Sequence, residues 1–169
     1  MKKRTFSSML IASVVLFACK SQPAGTTEPA DDFKFSKLVY HLGRCNGTCP
    51  SMDLEIDSSK AVYVNREFYK TKSEIDSANS GRFKGQLTPQ QDSLLIDVLK
   101  KSNLDSLEFP QVGITDVSET TIIVYYNGKR KHLHSAVPPP AAKELIEVIK
   151  SIGNDKGLQR TEEVKELEN

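Results

Sequence analysis

Two β-forming runs, Glu119 to Tyr126 and Lys129 to Ser135, are joined by the dipeptide Asn127-Gly128. Asn-Gly tolerates the two positive φ angles of a type I′ turn, whose twist matches that of the strands it joins. A chain with this stretch must contain an antiparallel pair, and every other element has to be fitted to it. The period of two then assigns faces. Ile122, Val124, Tyr126 and Leu133 share the more apolar face and form core. Ile123 opposes His132 and Thr121 opposes His134, so both imidazoles project from the other face.

Similar runs lie upstream. Phe33 to Leu42 is rich in β-formers. Met52, Leu54 and Ile56 alternate with Asp53, Glu55 and Asp57, the pattern of a half-buried strand. Ser58-Ser59 turns the chain into a returning strand, Lys60 to Tyr69, in which Ala61/Tyr63 and Val62/Val64 compete for the core face. Thr71 to Gly81 is polar and reads as loop, and Arg82 to Leu87 as a short fourth strand. Thr88-Pro89-Gln90-Gln91 carries an N-cap, a proline at the first helical position and a glutamine three residues after the cap. Leu94, Leu95, Val98 and Leu99 extend that helix to about Ser102. Leu104, Leu107 and Phe109 tuck beneath it.

Pro138-Pro139-Pro140 stops the last strand and opens a second helix, with Ala142, Leu145, Ile146, Ile149 and Ile152 on one face and Gly153 ending it. The order β-β-β-(β)-α-β-β-α has no parallel crossover. It predicts an α+β domain over residues 33–153, an antiparallel sheet of about five to six strands with two helices packed on one face. Residues 154–169 are expected to be a charged tail, frayed or loosely helical.

The N-terminus carries an address. Lys2-Lys3-Arg4 precede an apolar segment from Phe6 to Phe17, too short for a helix to cross ~30 Å of hydrocarbon with margin but suited to a secretory signal. The segment ends in Leu16-Phe17-Ala18-Cys19, which resembles the bacterial lipobox. That resemblance implies cleavage after residue 18 and lipidation of Cys19. Membrane attachment then runs through acyl chains worth ~0.8 kcal/mol per buried CH₂. Residues 19–32 are a flexible Pro-, Gly- and Thr-bearing tether. The chain is expected in the cell envelope, lipid-anchored, on the outer membrane. Without Lys2, Lys3 and Arg4 the remainder has a slight acidic excess, and no basic stripe offers a nucleic-acid footprint.

With Cys19 lipidated, Cys45 and Cys49 remain as a pair facing an oxidising compartment. They lie in Arg44-Cys45-Asn46-Gly47-Thr48-Cys49-Pro50, the densest oddity in the chain. Asn46-Gly47 and Pro50 favour a turn over a helix, and a turn brings the two Cα atoms toward the ~5.5 Å of a disulfide. A structural staple is the leading expectation. Two chemical alternatives stand beside it. Arg44 can lower the pKa of a free Cys45 thiol for exchange. Cys45, Cys49, His132 and His134 can make a copper site if loop and hairpin are neighbours. Cys-x-x-x-Cys-Pro resembles the copper-chaperone motif of the Sco family, but Pro50 here leads into a strand where that family opens a helix. The same two histidines are more simply explained as side chains on a solvent face. Asp116 is a loop carboxylate or a turn cap. No phosphate loop, nucleophile elbow or His-Glu-x-x-His pair occurs, and no cofactor is otherwise implied.

A strand, then Arg44-Cys45-x-Gly47-x-Cys49-Pro50, alternating strands, a leucine-rich helix, Thr115-Asp116 before an Asn-Gly hairpin, and a final helix together resemble a family of uncharacterised bacterial envelope domains. These occur in lipoproteins of Gram-negative bacteria, especially the Bacteroidetes. The likeness spans about Phe33 to Gly153, with Met52 in place of an aromatic and Ser58-Ser59 in place of a Gly-bearing turn. It implies no activity. The chain is therefore expected to be a non-catalytic binding or structural module, with thiol-redox or copper handling through Cys45 and Cys49 as the alternative.

Overall fold

The computed structural model describes residues 33–169. The expected signal segment 1–18, Cys19 and the expected tether 19–32 lie outside the described residues. The strands are β1 (Phe35–Leu42), β2 (Ser51–Ile56), β3 (Ala61–Glu67), β4 (Tyr69–Thr71), β5 (Glu74–Ile75), β6 (Gly81–Gln86), β7 (Thr120–Tyr126), β8 (Lys129–Ser135) and β9 (Gln159–Arg160). The helices are α1 (Pro89–Lys101) and α2 (Lys143–Gly153), the latter entered through a 3₁₀ turn at Pro140–Ala142.

The hairpin forms as its turn dictates. Asn127 and Gly128 have φ of 52° and 73°, and His132 faces Ile123 while His134 faces Thr121 across β7 and β8. Asn127 also fixes the entry to β1. Its N–H donates to the Lys34 carbonyl at 2.9 Å, and its Oδ1 accepts from the Lys34 N–H at 2.7 Å. The main sheet has seven antiparallel strands in the order β8-β7-β1-β2-β3-β6-β9, and β4 and β5 make a separate small hairpin where the end of the expected third strand meets the stretch expected to be loop.

Both helices cover one face of this sheet. Leu38, Tyr40, Leu54, Ile56, Ile122, Val124 and Leu133 point up from the strands and meet Leu95, Val98 and Leu99 of α1 with Leu145, Val148, Ile149 and Ile152 of α2. α1 starts as its letters indicate: the Thr88 hydroxyl accepts from the Gln91 N–H, and the Gln91 side chain accepts from the Thr88 N–H. Leu94 is the exception on α1, 46% exposed because it sits at the margin of the apolar stripe. The competition in β3 resolves in favour of Val62 and Val64, which join the core.

α2 ends at Gly153 as expected, though not through a left-handed cap: the glycine lies in the last turn with no positive φ. A Cβ there would stand 2.5 Å from Met52 Sδ and 3.0 Å from Leu54 Cδ1, so the missing side chain is what lets α2 close on β2.

The larger departure is the segment after α2. Residues 154–169 are neither frayed nor helical. β9 adds to β6 with Phe83 opposite Arg160 and Lys84 opposite Gln159, and Leu158 fills the space left by Gly85. From Thr161 the chain turns over the sheet face that the helices leave open. Ion pairs and main-chain bonds hold it there, and neither leaves a hydrophobic period in the sequence.

Candidate functional site

The stapled loop connects β1 to β2. Cys45 and Cys49 are joined by a disulfide with Cα atoms 5.6 Å apart, so the sulfurs are bonded to each other. Arg44 is committed elsewhere: its guanidinium pairs with the Glu67 carboxylate and lies 5.3 Å from the centre of the Tyr69 ring. The Tyr69 hydroxyl donates to the same carboxylate at 2.6 Å, and these two bonds hold Glu67 below the usual carboxylate range. The Asn46 N–H reaches the carbonyl of Asp116, a residue in left-handed backbone at φ 65°. Asp116 thus meets the loop through its main chain. A shallow cleft of about 220 Å³ beside the disulfide is lined by Arg44, Cys45, Cys49, Tyr69 and Lys72.

His132 and His134 stack with ring centroids 6.5 Å apart. His134 Nδ1 lies 2.8 Å from the Thr121 hydroxyl, and its Nε2 is 3.8 Å from Glu119. Burial and the nearby Arg130 hold the His132 pKa below the usual histidine value. Among the described residues no three His, Cys, Asp or Glu side chains converge as a metal group. The four candidates Cys45, Cys49, His132 and His134 are thus two separate pairs.

The most developed cluster lies on the open face of the sheet. Period-two alternation places Lys37, Val39 and His41 of β1 there, beside Asp53 and Glu55 of β2, Tyr63 of β3, Lys84 of β6, Ile123 and Tyr125 of β7, and Arg130 of β8. All three histidines of the chain project from this face. Residues 161–169 cross it strand by strand. The Thr161 N–H donates to the Arg82 carbonyl at 3.0 Å. Glu163 pairs with Lys84 at 3.2 Å, and Lys165 with Glu55 at 2.6 Å. The Tyr63 hydroxyl donates to the Glu163 carbonyl at 3.2 Å and accepts from the Lys165 N–H at 3.3 Å.

The strap ends in a carboxylate clamp. Glu168 is held by Lys37 at 2.7 Å, the Tyr125 hydroxyl at 2.7 Å and Arg130 at 2.8 Å, which pull its pKa down to about 2. Its carbonyl lies 2.7 Å from His41 Nε2, while His41 Nδ1 is 2.8 Å from Asp53. Both partners are acceptors, so both ring nitrogens must donate, and only the imidazolium can do that. The His41 pKa is raised accordingly, chiefly by the Asp53 bond, against an opposing effect of burial. Beneath the crossing, Val39 and Ile123 are fully buried, although they point away from the helices. A cleft of about 270 Å³ opens beside it, lined by His41, Asp53, Tyr63, Arg82, Val164 and Leu167.

Sequence reasoning missed His41, Asp53 and Glu168. The alternation Lys37, Val39, His41 was available as a signal for the first. Nothing in the letters of Glu162 to Asn169 announces where they dock. No curated protein matches the chain. Residues 36–153, which include the disulfide loop, both helices and the strands from β2 to β8, match a family described as a domain of unknown function, DUF6438. The span covers most of the chain and stops short of the strap, and the chain belongs to that family of uncharacterised domains.

Proposed function

We propose that the chain is a lipid-anchored protein of the cell envelope, on the outer membrane, whose domain is a non-catalytic binding module. One observation carries this reading: each group in the stretch best suited to redox or metal chemistry is committed to the domain's own structure. Cys45 is bonded to Cys49, Arg44 to Glu67, and the Asn46 N–H to the Asp116 carbonyl. What a tethered domain of this kind offers is surface. The face opposite the helices, crossed by residues 161–169, carries the cations, tyrosines and histidines for it. The lipobox-like Leu16-Phe17-Ala18-Cys19 supports the anchor. Among the described residues no helix is long and apolar enough to cross a membrane. Attachment on this reading therefore depends on Cys19. Metabolic labelling with a fatty acid and membrane fractionation test it: Cys19→Ser should abolish label and release the protein, and retention of the unlabelled variant on membranes would refute the anchor.

A second reading treats Cys45 and Cys49 as a thiol-redox or copper-handling pair. The half-buried Cys45 and Cys49, lining a cleft with Arg44, Tyr69 and Lys72, favour it. Copper(I) titration of the reduced chain, with thiol alkylation before and after reductant, decides between the two. Uptake that Cys45→Ser abolishes without moving the melting temperature would establish the second reading. Inert sulfurs and no uptake support the first.

A further inference from the structure

We propose that the open face of the sheet is the domain's binding surface for an extended, acidic segment of another protein, and that residues 161–169 occupy it in cis as a built-in competitor. This rests on the binding-module reading and names its partner and its regulation. The strap is held the way a peptide ligand is held. Tyr63 reads one acceptor and one donor of its main chain, at Glu163 and Lys165, and His41 takes the Glu168 carbonyl. Lys37, Tyr125 and Arg130 converge on a single carboxylate with bonds of 2.7 to 2.8 Å, a geometry that charged groups on a merely solvated face do not share. These contacts select charge and extended backbone.

The charge balance points the same way. Residues 161–169 hold four glutamates and one lysine. Glu168 meets Lys37 and Arg130, Glu163 meets Lys84 and Lys165 meets Glu55, while His41 takes a main-chain carbonyl. Polar contacts rather than buried apolar area hold the middle of the strap: Val164 is 72% exposed, and among the described residues the ladder with β6 gives out after the Thr161–Arg82 bond. The family span ends at residue 153, so the face belongs to the shared domain and the strap to the segment beyond it. A segment tethered this way has a high effective concentration, so an outside peptide sees only the fraction of molecules in which the strap is open.

The test uses the full chain and a fluorescent peptide of sequence Thr161 to Asn169. Glu168→Lys reverses the charge at the clamp and should release the strap. The variant is expected to bind the peptide roughly tenfold or more tighter than the unsubstituted chain does, by fluorescence anisotropy. A peptide carrying the same reversal should bind neither. A variant that is folded by circular dichroism yet binds no peptide overturns the proposal. So does sedimentation showing that the unsubstituted chain is a dimer which Glu168→Lys dissolves, since the strap would then belong to a second copy.

Hydrogen exchange of the unsubstituted chain supplies an independent measurement if the variant misfolds. The Lys165 and Thr161 amides should exchange by local opening, well ahead of β1 and β2. Exchange only on global unfolding would make the strap a fixed part of the fold and end the proposal. Failure here leaves the non-catalytic reading intact, because that reading stands or falls in the copper and alkylation assays.

Discussion

His41 shows how one side chain ties the covering segment to solution conditions. It faces Asp53 on β2 and the Glu168 carbonyl on the strap, with Arg82 and Lys165 along the same cleft. Its pKa is raised, so its contribution is complete below its ordinary value of 6.5 and is lost as pH rises through the elevated one. Glu168 behaves oppositely: its contribution is complete above 4.5 and is lost as pH falls toward about 2. The strap is therefore held best between those limits, and the protection of its amides relative to intrinsic exchange should fall on either side. Proton NMR titration of His41 and His132 checks the assignment. His41 should titrate above its ordinary value and His132 below it, and a reversed order would refute the two-acceptor geometry. Tyr40 poses a different case. Its ring is fully buried, and among the described residues its hydroxyl has no hydrogen-bond partner. Burial drives its pKa well above the tyrosine range, with Thr120 close enough to ease this slightly. Since a buried unpaired hydroxyl is a cost, Tyr40→Phe should match or exceed the parent stability by up to about 1 kcal/mol in urea unfolding. A clear loss would show that the hydroxyl has a partner.

At the scale of elements, the stapled loop and the strap differ in what holds them. The Cys45–Cys49 ring is small, and closing it removes about 2 kcal/mol of chain entropy from the unfolded state at most. The double variant Cys45→Ser/Cys49→Ser should fold and lose no more than about that amount, because Arg44–Glu67 and Asn46–Asp116 still root the loop. Failure to fold would mean that the loop organises the sheet. These elements also show what sequence can reveal. The Asn127-Gly128 turn, the Thr88 cap and the alternation of Met52, Leu54 and Ile56 each act on their immediate neighbours, and each is legible. Tyr63 is ambiguous in the sequence because both faces of β3 are covered, which erases the contrast that alternation depends on. Val148, buried on α2, completes a stripe whose other members are legible, while Leu94, expected on the apolar face of α1, is exposed. Glu168 is illegible because its partners lie on β1, β7 and β8, distant in the chain and united only by the finished sheet.

Taken together, residues 33–169 form a helix layer, a sheet, and a thin polar covering on the far side, and the borders of this unit have consequences of their own. β8 ends the sheet, and a terminal strand offers unpaired main-chain groups on which a foreign strand can be laid down. The connector between α1 and β7, legible in the sequence only as a carrier of Leu104, Leu107 and Phe109, shields that border. The Gln111 side chain donates to the His134 carbonyl at 2.9 Å, Ser135 donates to the Pro110 carbonyl, and Asp105 draws in Lys129 at 2.8 Å. Gln111→Ala combined with Asp105→Ala should leave the fold intact but bring on thioflavin-positive aggregation at high concentration, which the parent chain resists. Unchanged solubility would show that the basic run Lys129-Arg130-Lys131 suffices alone. If the domain is lipid-anchored as proposed, molecules side by side on one membrane would meet at such borders far more often than in dilute solution. The connector would then act as a guard against templated growth, preserving each molecule as a separate unit on a crowded surface.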